Sequence, residues 1–184
     1  MKRVFFAFAM LIAFCTTTFA EKVIVDKIKD GFRIVQTERT PHVFLVGGTM
    51  NDGAVSLDCW QKDGVKQYSI VLYFYSEYNI EKGSKLLLKF NNDEILELYS
   101  SSDIGHVWTG NAFAQIPVYF VDYNVTLEQL NKIMTQNIVK LRAETFSDHI
   151  DGKVYGKKFT KTINKDYGLI EQALKKEVSL YDDF

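Results

Sequence analysis

Short turn signals recur along the whole chain, and they limit its fold more than any other feature. "KDG" (29–31), "NDG" (51–53), "KDG" (62–64), "EKG" (81–83), "NND" (91–93) and "IDG" (150–152) punctuate the 184 residues. Glycine and aspartate accept the positive φ of a tight turn matched to strand twist, so Asp-Gly between extended runs predicts a hairpin. The intervening runs are rich in Val, Ile, Tyr, Phe and Thr: "KVIVDKI", "FRIVQTE", "HVFLVGG", "AVSLDCWQ", "KQYSIVLYFYS", "SKLLLKF" and "EILELYS". Their lengths are those of strands. Short strands joined by tight turns imply antiparallel meanders, not alternating strand–helix units.

Alternation within the runs assigns the faces. "SKLLLKF" sets Leu86, Leu88 and Phe90 opposite Lys85, Leu87 and Lys89. "NIVKLRAET" sets Val139, Leu141 and Ala143 opposite Lys140, Arg142 and Glu144, a half-buried strand. From Ile70 to Tyr75 both faces are apolar or aromatic, so this strand needs a covering layer on each side.

Two helices are expected. In "VTLEQLNKIMTQNIVKLRAETF" (125–146), Thr126 and Gln129 have the spacing of a capping box, and Val125 with Leu130 that of a hydrophobic staple. Leu127, Leu130, Ile133 and Met134 form the apolar stripe, with Asn137 as a left-handed terminator. A second helix is expected between Thr162 and Leu180, where Ile163, Tyr167, Ile170, Leu174 and Val178 share one face. The predicted class is α+β: a mostly antiparallel sheet or sandwich of roughly seven to ten strands with two packed helices.

The N-terminus has the layout of a secretory signal peptide: Lys2 and Arg3, the apolar run Val4 to Cys15, then "TTTFA" ending at Ala20. Cleavage there leaves 21–184 as one globular domain, exported to the periplasm or secreted, with no transmembrane helix. Lipidation at Cys15 is the minor alternative, because Phe14 is large for the residue preceding a lipid-bearing cysteine. The formal charge is −1, and −3 once Lys2 and Arg3 are removed. With no basic block or Lys/Arg stripe, nucleic acid is not an expected partner. Cys59 then stands alone inside the apolar-rich run "AVSLDCW" and reads as a buried small hydrophobe.

No catalytic, metal or cofactor motif emerges. His42, His106 and His149 share no ligand spacing, and "DHIDG" (148–152) offers too few acidic oxygens for a calcium loop. "VGGTMNDG" lacks the lysine of a phosphate-binding loop, and no serine occupies a nucleophile elbow. One segment stands out: "SSSDIGHVWTGN", with small and polar residues around His106 and Trp108 and no period. As an irregular loop it would place His106, Trp108 and Asn111 as binding residues for a sugar or peptide, Trp108 stacking and the other two hydrogen-bonding. Trp60, within a strand, is expected in the core.

The basic, Phe-rich leader, the hairpin "KGSKLLLKFNNDEILELYS" and the segment "VTLEQLNKIMTQNIVKLRAET" resemble small secreted or periplasmic proteins of unknown function common in Bacteroidetes. The resemblance covers about half the chain and implies no activity. The expected function is that of a non-enzymatic module of the cell envelope, binding a ligand or a protein partner of undetermined identity and in an undetermined oligomeric state. A structural or assembly subunit, and a hydrolase or isomerase assembled from distant strands, are the alternatives.

Overall fold

The computed structural model describes residues 22–46, 52–75, 78–111 and 114–176, without the side chains of 110–115. The expected leader, including Cys15, and Val178 lie outside these. Eleven strands and two helices are formed among the described residues. The first strands are β1 (Val23–Lys29), β2 (Phe32–Thr37), β3 (Thr40–Val46), β4 (Asp52–Lys62) and β5 (Val65–Phe74). Then come β6 (Lys85–Phe90), β7 (Ile95–Ser100), β8 (Gly105–Asn111) and β9 (Ala114–Val125). Helix α1 (Leu127–Thr135), β10 (Ile138–Glu144), β11 (His149–Val154) and helix α2 (Lys158–Leu174) complete the chain.

The α+β class holds, and every strand pairing is antiparallel. The sandwich does not. Eight strands close in the order β4–β3–β11–β10–β6–β7–β9–β5, and β5 pairs back onto β4. Two long strands make closure possible. β4 offers one edge to β3 at its start and to β2 near its end, and its other edge to β5. β9 likewise divides one edge between β8 and β7. Sandwich and barrel share the same period-2 alternation, so the pattern did not discriminate between them.

The barrel is filled. Phe44, Leu57, Ile70, Leu72, Phe74, Leu86, Leu88, Phe90 and Tyr123 are all fully buried. Antiparallel alternation brings the ends of β9 and β11 and the start of β10 to one mouth, where both helices insert Leu130, Ile133, Phe159, Ile163 and Ile170 into the same core. At the other mouth, Ile80 is buried and Tyr78 sets its ring edge-on to Phe74. From Tyr68 to Leu72 strand β5 is buried on both faces, as its apolar composition from Ile70 onward required, while Val65 and Tyr75 beside this stretch are exposed. The strand's outer face lies beneath Arg39, which donates to Thr109 (3.2 Å) and sits 6.0 Å from the Tyr73 ring.

Local chemistry sets the α1 start. Thr126 Oγ1 accepts from the Gln129 amide (3.2 Å), and Gln129 Oε1 accepts from the Thr126 amide (2.9 Å), completing the capping box. Asn137 is not the terminator: the extended backbone of Gln136 (φ −109°) ends the helix. Leu127 is 51% exposed, outside the stripe. Helix α2 starts earlier than expected and has no side-chain N-cap. Arg33 closes its other end, donating to the carbonyls of Ala173 (2.7 Å), Leu174 (3.2 Å) and Lys176 (2.9 Å).

Asp30-Gly31 and Asp63-Gly64 adopt the paired positive φ of hairpin turns, and Gly83 and Asp93 also have positive φ. "NDG" and "IDG" are different, because Gly53 and Gly152 lie inside β4 and β11. The Phe44 ring takes the room a side chain on Gly53 would need, and Leu141, with Phe44 behind it, takes the room at Gly152. In β10, a bulge between Ile138 and Lys140 places Ile138, not Val139, in the core. Trp60 is not core either: it is 41% exposed, edge-on to Phe32 (6.3 Å) on the outer face.

Candidate functional site

The outer face of β11, β10 and β6 carries an arrangement that chain order conceals. Alternation turns Lys153, Lys140 and Lys89 outward from three strands whose inward residues fill the core. Register then aligns them, with Lys153 opposite Lys140 and Lys140 opposite Lys89. Leu45 pairs with Lys153 at one end of this row, and Ile95 with Lys89 at the other. The next row runs Asp151, Arg142, Leu87.

Together these residues line a groove of about 550 Å³, with Leu45, Leu87 and Ile95 as its apolar surface. A second cleft of about 410 Å³ shares Leu87 and Arg142 and ends at Phe146, which is 74% exposed.

Like charges placed directly opposite one another across strands repel. Two of the four cations are compensated. Lys89 pairs with Asp93 (2.7 Å), and Arg142 grips Asp151 through two hydrogen bonds (2.6 and 2.9 Å). Those contacts hold the Asp93 and Asp151 carboxyls below their usual range. Among the described residues, Lys140 and Lys153 make no ion pair. The central lysine therefore has a lysine on each side and no ion-pair partner; the nearby charge it feels is that of Asp151, which Arg142 already holds. An anionic group would relieve this repulsion, and an attached apolar chain would fit against the leucine and isoleucine surface.

The residues singled out by sequence occupy another place. The segment from Gly105 to Asn111 is not a loop but strand β8, hairpinned with β9. His106 and Trp108 share one face of it, with ring centroids 6.1 Å apart, and His106 also contacts Tyr119 (6.0 Å). Trp108 is 61% exposed. The Asn111 backbone pairs with Ala114, while its side chain is among those not described.

Cys59 is fully buried, and burial pushes its thiol up to about 11, as expected of a packing residue. His149 faces Asp148 (3.0 Å) and Asp151 (3.7 Å) on the open surface. The lysine row escaped the sequence reading because each lysine, taken alone, belongs to an ordinary solvated face. No family model, curated protein or solved structure matches this chain.

Proposed function

We propose that this protein is an exported, non-enzymatic binding module of the cell envelope, and that the groove over β11, β10 and β6 holds an anionic amphiphile. The ligand class is an acyl chain bearing a carboxylate or phosphate head. The observation that carries this reading is the row Lys153, Lys140, Lys89, laid beside Leu45, Leu87 and Ile95. The groove lies within the size range of small-ligand sites, about 300–1,000 Å³, and is lined mainly by apolar surface with a few charged groups. Four cations line it, and with Asp93 and Asp151 pairing two of them an excess of two positive charges remains, in a chain whose net charge is −1. The filled barrel interior favours an external site over an internal one.

Calorimetric titration with dodecyl phosphate below its micelle concentration tests the proposal. The expected result is saturable binding, weakened at least tenfold in a Lys140→Glu/Lys153→Glu variant. Dodecyltrimethylammonium, with the same chain and the opposite charge, is expected not to bind. Equal binding of the two amphiphiles, or none of the phosphate, would overturn the reading.

The assembly-subunit reading has its own observation. β8 pairs only with β9 among the described strands, and Val107, Trp108 and Ile116 are exposed there. A concentration-dependent increase in mass by light scattering, abolished by Trp108→Ser, is its expected sign. A constant monomer mass would dismiss self-assembly through this edge.

A further inference from the structure

On the opposite side of the barrel, four strands from β10 in either direction, the outer face of β5 lies in a second row of unusual composition. Gln36, Asp58, Ser69 and Asn124 stand in direct register across β2, β4, β5 and β9. Gln36 Nε2 donates to Asp58 Oδ2 (2.5 Å), and Ser69 Oγ donates to Asn124 Oδ1 (3.0 Å). Trp60 lies on one side of this row, opposite Gln67, and Asp122 and Phe120 lie on the other. These side chains enclose a cleft of about 300 Å³.

The chemistry of the cleft narrows the choice of ligand. Asp58 is only 6% exposed, and burial raises its carboxyl to about 7, with neighbouring Asp122 adding to the rise. Burial raises Asp122 as well, against a hydrogen bond from Ser102. A carboxyl that keeps its proton near neutrality is a poor cation ligand, and an anion bound beside Asp58 and Asp122 would oppose whatever ionisation they retain, so an uncharged ligand suits the cleft best. A protonated carboxyl donates as well as accepts, as do the serine hydroxyl and the amides. Vicinal hydroxyls need such mixed partners, and the half-exposed indole of Trp60 offers a flat apolar surface with its ring held by Phe32. A perturbed carboxyl in a cleft is also where functional sites concentrate.

We propose that this cleft binds a neutral saccharide, its ring stacked on Trp60 and its hydroxyls shared among Asp58, Ser69, Asp122 and Asn124. The site is separate from the lysine groove and does not depend on it. An array of neutral, sialylated and sulfated glycans probed with the full protein tests the assignment. Neutral glycans are expected to be retained, with the signal falling at least tenfold for Trp60→Ala and surviving in Trp60→Phe.

A second measurement needs no variant in the cleft. In a Trp108→Phe background, the remaining indole N–H resonance belongs to Trp60, and it is expected to shift when the retained glycan is added. The proposal is overturned if no neutral glycan is retained, if only anionic glycans are, if a normally melting Trp60→Ala binds within twofold of the parent, or if the Trp60 resonance does not move.

Discussion

The ring of Phe44 occupies the space that a side chain on Gly53, its cross-strand partner, would need: a Cβ there would lie 2.0 Å from Phe44 Cε2. Gly152 lends room from the other side, since its Cβ would meet Phe44 Cδ2 at 3.3 Å and Leu141 Cδ1 at 2.8 Å. The glycines are therefore needed for space, not for a turn. Gly53→Ala is expected to destabilise the protein by about 1–3 kcal/mol through overpacking. Phe44→Leu in the same chain should recover part of that loss. A double-mutant cycle in urea checks this, and additive effects would show that the two residues do not share the space.

Arg33 ties the end of α2 to the sheet. Its guanidinium serves three carbonyls, and it is held by Asp26 through two bonds of 2.9 Å. Arg33→Ala should cost on the order of 2 kcal/mol, as expected when hydrogen bonds to a charged, largely buried group are lost. Arg33→Lys should restore less than half, because an ammonium cannot reproduce the planar fork. Denaturation gives the magnitude, and faster amide exchange confined to the last turn of α2 gives the location.

The lysine row predicts a trade between stability and binding. Lys140→Glu replaces two like-charge cross-strand neighbours with two opposite-charge ones, so unfolding free energy should rise by about 0.5–1 kcal/mol. The gain should shrink as salt screens it. Dodecyl phosphate affinity should fall in the same variant. A variant that is less stable and binds unchanged would remove the functional meaning of the row.

Asp58 gives a pH dependence of definite sign. An unfolded aspartate releases its proton near pH 3.9, whereas native Asp58 retains it up to about 7. Between those values the native state binds more protons, so this residue makes stability fall as pH rises through that window, with no further loss above it. Asp122 acts in the same direction. Asp52, Asp151 and Glu171 are shifted down and act oppositely; for Glu171, hydrogen bonds from Lys66 and Tyr68 outweigh the effect of burial. The informative quantity is thus the difference between Asp58→Asn and the parent. It should favour the variant more at pH 8 than at pH 4, by on the order of 4 kcal/mol. Chemical denaturation at both values measures it, and a flat difference would refute the shift.

Several elements were legible from residues close together in the chain. Asp30-Gly31 and Asp63-Gly64 turn because their backbones accept positive φ. Thr126 and Gln129 begin α1 because each satisfies the other's amide. Leu86, Leu88 and Phe90 face inward because side chains alternate along a strand. These are short-range effects, with both partners a few residues apart.

Closure into a barrel, the use of Gly53 and Gly152 as room for Phe44 and Leu141, and the outward position of Trp60 were decided elsewhere. So was the candidate site. Alternation says that Lys89, Lys140 and Lys153 point outward, but not that they point outward side by side. The same holds for Gln36, Asp58, Ser69 and Asn124. Strand register between distant segments is fixed by how their buried faces interlock around a common core, and that packing exists only in the assembled barrel.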